Sequence, residues 1–209
     1  MIGSTKLNIE ECAETCAKVF HLFVDTITKI FHDFDAPYID IQGDGVFALF
    51  NQNQPYRALA AAVTVKTFIE NDFSIAVKSV EGVGGARMGI DIGTVLVRKI
   101  GLKFHDRTDR QNELWAGKTV NMAVKLASES EKGELLVSDR YYSKITDDLV
   151  RKSCGCIGEA YYGKKEDLWE EINVETNDKF DFDYAYSLTS QWCQTHGKEF
   201  CTNILKLDK

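Results

Sequence analysis

The chain has 209 residues, of which 44% are hydrophobic and 27% are charged. This composition is typical of a globular protein and predicts one compact domain, or one domain with a short appendage. The formal charge is −7, which argues against a nucleic-acid partner, because such binders present a basic surface to phosphates. No apolar run approaches the roughly 20 residues that cross a bilayer, and no signal-peptide pattern opens the chain. We therefore expect a cytoplasmic protein with no membrane partner.

The first third of the chain predicts a long helix followed by a hairpin. Apolar residues recur at intervals of three and four over residues 11–34, as on one face of an amphipathic helix. Residues 38–42 alternate strictly and residues 46–50 are almost continuously apolar, so each segment predicts a strand. Gly43-Asp44-Gly45 predicts the tight turn between them, which places an acidic residue at the hairpin tip.

The same patterns predict the elements that follow. Helices are expected at residues 55–71 and 118–128, and strands at residues 86–92, 94–100 and 135–138. Gly93 suggests that the first two of these strands form a second hairpin, and residues 101–113 predict a polar, partly basic loop. The order helix, hairpin, helix, hairpin, helix, strand indicates an α+β fold, with helices packed on a mainly antiparallel sheet.

The pattern becomes irregular and aromatic after about Arg151. We therefore predict two parts, a domain at residues 1–150 and a C-terminal extension at residues 151–209 that packs on it.

The six cysteines are too few for a disulfide framework in a chain of this length. Cys12 and Cys16 lie one helical turn apart among apolar residues, which favours core positions for both. The C-terminal part contains Cys154, Cys156, Cys193, Cys201 and His196. Cys-Gly-Cys and Cys-x-x-His could supply ligands for a structural zinc ion. The long interval between these two halves is not a usual finger spacing and favours buried free thiols instead.

Three sequence blocks, residues 41–50, 87–93 and 117–126, carry a family resemblance. In this order they resemble the class III nucleotidyl cyclase catalytic domain, the family of adenylate and guanylate cyclases, over the chain up to about Asp139. The resemblance implies a ferredoxin-like fold with an antiparallel-rich sheet covered by helices.

In that family two carboxylates hold two Mg²⁺ or Mn²⁺ ions at each site. The resemblance gives Asp44 the place of the metal-binding residue at the hairpin tip. The other Asp ends a strand and opens a pattern that this chain matches one residue late, in Met1-Ile2-Gly3-Ser4-Thr5. We therefore expect the second Asp directly before Met1, with the backbone of Met1 and Ile2 beside the metals. This predicts that the chain is N-terminally truncated or starts at a miscalled Met.

The resemblance also implies a triphosphate site. Gly3, Ser4 and Thr5 would form a turn whose N–H groups cradle the phosphates, although an ordinary Ser/Thr helix cap is the alternative. Gly43, in the hairpin turn, is counted with the substrate-binding residues. Arg98 and Arg107 could also meet phosphates, and the alternative for both is a solvated charge.

Asn121 and Lys125 lie one turn apart on a predicted helix and so share a face. The matching family residues, Asn and Arg, bind the ribose and the triphosphate in the transition state. Lys125 keeps the positive charge but lacks the bidentate fork of arginine. An exposed helix lysine is the alternative.

The base-reading positions depart from those of adenylate cyclases, which carry a Lys where this chain has Asp40. A second base-reading position falls within residues 112–117, where the usual Asp is absent. Tyr38 and Asp40 share a strand face, so Tyr38 could narrow the pocket towards a pyrimidine while Asp40 accepts a hydrogen bond from the base. A solvated strand face is the alternative.

These departures, together with the ending Trp192-Cys193-x-x-His196-Gly197-x-x-Phe200-Cys201, resemble the pyrimidine cyclases of the bacterial Pycsar anti-phage system. The resemblance implies cyclisation of UTP or CTP to a messenger that activates a separate effector without direct contact between the proteins. It also implies a homodimer whose two active sites each use residues from both chains. The alternatives are a purine cyclase or a degenerate cyclase domain that senses nucleotides or mediates dimerisation.

Overall fold

A computed structural model describes residues 1–101, 111–156 and 163–208. The helices are α1 (Ser4–Glu10), α2 (Ala13–Asp33), α3 (Pro55–Phe68), α4 (Ser74–Ala76), α5 (Lys118–Glu129), α6 (Asp139–Tyr142), α7 (Asp148–Arg151) and α8 (Gly197–Ile204). A π-helical turn, Ile69–Phe73, joins α3 to α4. The strands are β1 (Tyr38–Gln42), β2 (Gly45–Leu49), β3 (Met88–Ile90), β4 (Leu96–Gly101), β5 (Gln111–Ala116), β6 (Leu135–Ser138), β7 (Trp169–Asn173) and β8 (Tyr184–Leu188). In these ranges no helix has both the length and the apolar character needed to span a membrane.

The strands form three hydrogen-bonded units. β1 and β2 form the predicted antiparallel hairpin, with Tyr38 opposite Leu49. A four-stranded sheet has the order β3-β6-β8-β7, in which only the β3–β6 pair is parallel. β4 and β5 form a separate antiparallel ribbon. The predicted α+β architecture with an antiparallel-rich sheet is confirmed.

The predicted hairpin between residues 86–92 and 94–100 is wrong, because β3 pairs with β6 and β4 pairs with β5. Gly93 does not adopt the positive φ that a tight hairpin turn uses. A Cβ atom at Gly93 would instead lie 2.3 Å from the Thr119 hydroxyl, so this glycine permits close packing against α5. The partner of β4 is β5, which begins at Gln111, near the end of the segment at residues 101–113 that is predicted to be a loop.

Regular structure continues after residue 151. β8 lies between β6 and β7, with Leu188 opposite Leu135, and α8 packs against α3. Strands from both sides of the predicted boundary at residues 150 and 151 therefore share one sheet. The division into a domain and an extension stays a prediction.

The apolar face of α2 packs into the core as its sequence pattern predicts. Cys16, Val19, Phe23 and Ile27 are buried, and Phe23 meets Phe73 edge to face with ring centroids 5.0 Å apart. The core position predicted for Cys12 is wrong: Cys12 precedes the first turn of α2, where its side chain is exposed.

A buried ion pair connects β3 to the start of α6. The Asp91 side chain is fully buried, at 0% exposure. Its carboxylate accepts hydrogen bonds from Ser138 Oγ at 2.5 Å and from Arg140 Nε at 2.7 Å. Arg140 also pairs with Asp181 at 3.2 Å, and these two carboxylates raise its pKa despite partial burial. One guanidinium group thus holds together the end of β3, the start of α6 and the segment before β8.

We predict that Arg140→Leu lowers the free energy of unfolding by about 3 kcal/mol, because it leaves Asp91 buried without its cation. This loss lies at the lower end of the range for removing one partner of a buried ion pair, because Arg140 is 34% exposed and water can reach the site. Urea unfolding monitored by circular dichroism measures this change. Arg87→Leu is the matched control, since Arg87 is exposed and, within the described residues, donates a hydrogen bond to the Ser128 carbonyl. Equal loss in both variants would contradict a special role for the Asp91 pair.

Candidate active site

The N-terminus meets the hairpin tip. The Met1 ammonium lies 3.2 Å from Asp44 Oδ2 and donates a hydrogen bond to the Asp44 carbonyl at 3.1 Å. The Ser4 hydroxyl also hydrogen-bonds the Asp44 carboxylate. Four residues predicted from the family pattern to share one site, Met1, Ile2, Ser4 and Asp44, are therefore close together in the structure.

Asp44 is suited to holding a cation. Partial burial acts to raise the pKa of its carboxyl, but the hydrogen bond from Ser4 and the positive charge of Met1 outweigh this, so the pKa is lowered overall. The carboxylate therefore stays ionised at neutral pH. Mg²⁺ prefers oxygen ligands of this kind. The oxygen atoms at this position therefore suit a divalent ion, with Asp44 supplying the carboxylate ligand.

The backbone N–H and carbonyl of Ile2, next to Met1, form hydrogen bonds with the loop before β3. The Ile2 N–H donates to the Gly85 carbonyl at 3.0 Å, and the Ile2 carbonyl accepts from the Gly84 N–H at 3.4 Å. A carbonyl oxygen keeps a second lone pair, so Ile2 can still accept another ligand. Gly3 precedes α1 with φ +85°, and Ser4 and Thr5 open that helix. The turn predicted at Gly3 exists, but it leads into the short helix α1 rather than directly into α2.

Tyr38 forms the centre of a second group of residues. Its ring contacts that of Trp115 on β5, with centroids 4.3 Å apart and planes inclined by 36°. Burial, followed by the charges of Asp40 and Glu113, raises the pKa of the Tyr38 hydroxyl. The Asp40 carboxylate accepts from the Ile41 N–H and from Gln42 Nε2, both at 3.0 Å. Both segments predicted to read the base, β1 and residues 112–117, thus meet at the Tyr38–Trp115 contact.

The sequence pattern assigns no base-binding role to Trp115. Residues 112–117 are predicted to read the base by their place in the family pattern, but the residue type expected there is polar. The available signal was a tryptophan in a short strand otherwise rich in polar residues, since a large aromatic ring usually packs against another element.

The basic and polar residues predicted for the triphosphate are dispersed. Asn121 is exposed on α5, whereas Lys125 donates from Nζ to the Lys179 carbonyl at 2.5 Å. The Lys125 ammonium keeps further N–H donors beyond the one that this carbonyl accepts. Arg98 is exposed on β4, opposite Leu114, and Gly43 occupies the hairpin turn with φ +63°. Arg107 lies outside the described residues.

A cavity of about 450 Å³ lies between the hairpin and the four-stranded sheet. Consecutive residues of β2 and of β3 line it, and within the described residues β2 pairs with β1 and β3 pairs with β6. Met1 and Asp44 lie on its wall, together with apolar side chains of α2 such as Phe23 and Ile27.

Comparison with known proteins identifies the family. Residues 1–162 match the family model described as the adenylate and guanylate cyclase catalytic domain. A uridylate cyclase of Micromonospora echinofusca is 32% identical over 210 residues, covering 98% of this chain and 66% of that protein. A uridylate cyclase of Propioniciclava tarda is 34% identical over 212 residues, covering 99% of this chain and 67% of that protein. This chain thus spans about two thirds of the length of these relatives.

The fold gives the same result as the sequence. The crystal structure of the guanylate cyclase domain of RhGC from Catenaria anguillulae in complex with GTP superposes with a TM-score of 0.64. The sequence identity is 16%, and the superposition covers 91% of this chain and 92% of that domain. The chain therefore belongs to the adenylate and guanylate cyclase catalytic domain family, the class III nucleotidyl cyclases.

Proposed function

We propose that this protein converts UTP, or alternatively CTP, into the 3′,5′-cyclic mononucleotide and pyrophosphate. The observation that carries the proposal is similarity to two uridylate cyclases along almost the whole chain. In the reaction the ribose 3′ oxygen forms a bond to the α-phosphorus as its proton leaves. The bond between the α-phosphorus and the bridging oxygen breaks, and pyrophosphate departs with that oxygen.

The aromatic contact at Tyr38 supports a pyrimidine substrate. The Tyr38 and Trp115 rings pack together at the start of β1, and a base placed against them would have less room for the second ring of a purine. Asp40 is a hydrogen-bond acceptor with lone pairs beyond those used by Ile41 and Gln42. It can accept from the N3–H of uracil or from the amino group of cytosine, so both pyrimidines remain substrates to be tested.

Asp44 is the proposed metal-binding residue among the described side chains. A bound Mg²⁺ or Mn²⁺ would neutralise phosphate charge and favour ionisation of the 3′ hydroxyl. The second carboxylate, placed before Met1 by the family pattern, stays a prediction. N–H groups of Gly3, Ser4 and Thr5 would bind phosphate oxygens, while Asn121 and Lys125 would bind the ribose and triphosphate.

We also propose that two chains share each site. Exposed apolar side chains project from the β4–β5 ribbon, including Leu96 at 67% and Ile100 at 47%, and Val124 on α5 is 58% exposed. Such groups favour contact with another protein surface. A two-fold pair would bring Asn121 and Lys125 of one protomer towards the Asp44 hairpin tip of its partner.

The Pycsar resemblance extends the proposal to the cell. The cyclic nucleotide would serve as a messenger in anti-phage defence, and a separate effector would respond to the nucleotide rather than to this protein. Infection of cells that carry the gene should raise cyclic UMP or cyclic CMP, measured by mass spectrometry. An unchanged level in cells that contain active enzyme would contradict this role.

The substrate is tested by incubating the full-length protein separately with UTP, CTP, GTP and ATP in the presence of Mn²⁺. We expect cyclic product and pyrophosphate from a pyrimidine nucleotide only. Asp44→Ala should lower kcat/KM by at least about 100-fold, because it removes the charge that positions the metal against the phosphates. Asp33→Ala, at an exposed carboxylate on α2, is the matched control. Cyclisation of ATP or GTP would contradict the proposed preference for a pyrimidine base. No product from any nucleotide would favour a degenerate cyclase domain that senses nucleotides.

The pocket is tested by Tyr38→Ala. We expect the ratio of the Ki for ATP, added as a competitor, to the KM for the pyrimidine to fall about tenfold, equivalent to about 1.4 kcal/mol of lost stacking and shape selection. Tyr38→Phe should retain most of this ratio because it keeps the ring against Trp115. Tyr184→Ala, at an exposed tyrosine on β8, controls for nonspecific effects. An unchanged ratio in Tyr38→Ala would place the base elsewhere.

The shared site is tested by mixing Asp44→Ala and Asn121→Ala proteins after each is shown to be inactive. Random pairing makes half of the dimers mixed, and each mixed dimer restores one of its two sites. The mixture should therefore regain about one quarter of the wild-type activity. Each variant incubated alone through the same exchange is the control. No recovery in a mixture shown to contain mixed dimers would exclude shared sites.

A further inference from the structure

Three cysteines and a histidine from two distant segments meet beside α8. Cys154 and Cys156 follow α7, and Cys193 and His196 precede α8. The ligand atoms of all four side chains lie within 4.8 Å of one another. Cys156 Sγ is 3.1 Å from His196 Nδ1, and Cys193 Sγ is 4.0 Å from the same nitrogen. All four residues are half-buried.

The separations are close to those of a tetrahedral metal centre. Zinc binds thiolate sulfur at about 2.3 Å and imidazole nitrogen at about 2.0 Å, so three sulfurs and one nitrogen around it lie about 3.5–3.8 Å from each other. The widest separation here, 4.8 Å, needs to close by about 1 Å. Small changes in side-chain torsions are enough for such a closure, and the backbone can keep its present course.

The backbone of both segments favours this convergence. Gly155 has φ +82°, and a Cβ atom there would lie only 3.1 Å from the Gly163 backbone, so glycine permits the turn that brings Cys154 and Cys156 together. In the other segment the N–H groups of Thr195 and His196 donate to Cys193 Sγ. Such donors stabilise the negative charge that a sulfur carries when it binds a metal.

We propose that Cys154, Cys156, Cys193 and His196 bind one zinc ion in a structural Cys₃His site. Three thiols lose their protons to solvent as the ion binds, and His196 coordinates as neutral imidazole. Four protein ligands leave no open position for substrate, which makes the site structural rather than catalytic. Sulfur-rich ligands also separate this ion from the Mg²⁺ or Mn²⁺ expected at the Asp44 carboxylate.

The proposed ion would fasten the C-terminal segment to the rest of the fold. Beside the ligands, Trp192 donates from its indole N–H to the Thr64 hydroxyl at 2.8 Å and from its backbone N–H to the Thr67 hydroxyl at 3.1 Å. Both threonines lie on α3. Zinc would therefore join the loop after α7 to a segment already bound to α3, and would hold the start of α8 in place.

The test measures the metal content of the full-length protein, purified under reducing conditions with zinc supplied and excess removed. We expect one zinc ion per chain by mass spectrometry. The double variant Cys156→Ser/Cys193→Ser should fall to background, whereas Cys12→Ser/Cys201→Ser, which leaves the four ligands intact, should keep the full amount. Absence of zinc from the wild-type chain, or retention by the first double variant, overturns the proposal.

A second variant covers the case in which the ligand-deficient protein does not fold. His196→Cys keeps four ligands and should retain one zinc ion per chain. Cobalt substituted into the wild-type protein should show the visible absorption of a tetrahedral thiolate site, and the spectrum should change in His196→Cys. Retention of zinc with an unchanged cobalt spectrum would remove His196 from the site. A disulfide among the three cysteines that persists in the wild-type protein despite the reducing conditions would also overturn the proposal.

Discussion

The close approach of α5 to β3 at Gly89 is the contact on which the rest of the fold depends. A Cβ atom at Gly89 would lie 2.3 Å from the Ala123 carbonyl and 2.5 Å from the Ala127 nitrogen, which are backbone atoms that cannot move aside. This approach buries Met122 and Leu126 on the inner face of α5 and leaves Asn121 on its outer face. Any side chain at position 89 would push the helix away and displace its polar residues from the predicted site.

The β1–β2 hairpin combines two proposed functions on one short element. Its tip carries Asp44, the proposed metal ligand, and its first strand carries Tyr38 and Asp40, the proposed base-reading residues. The ring contact between Tyr38 and Trp115 connects this hairpin to the β4–β5 ribbon, although the two share no strand pairing. Under the proposed function, selectivity for the base and the position of the metal would therefore be linked through these few residues.

Local patterns in the sequence predicted local structure well. The spacing of Cys16, Val19 and Phe23 identified the buried face of α2, and Gly43-Asp44-Gly45 identified the hairpin turn. The pairing of strands that are far apart along the chain was not predictable. An alternation with a period of two residues indicates a strand, but it does not indicate which other strand will hydrogen-bond to it. This is why β3 and β4 were wrongly joined. The same limit applies to Cys156 and Cys193, whose long interval argued against zinc although folding brings their segments together.

The exposed apolar ribbon of β4 and β5 has a consequence for regulation. If the ribbon is the surface through which two chains pair, a single chain has no complete active site. When most chains are unpaired, the rate of product formation then rises with the square of the protein concentration. A cell that keeps few copies would suppress the messenger by dilution alone, and a modest rise in expression would produce a disproportionately large signal.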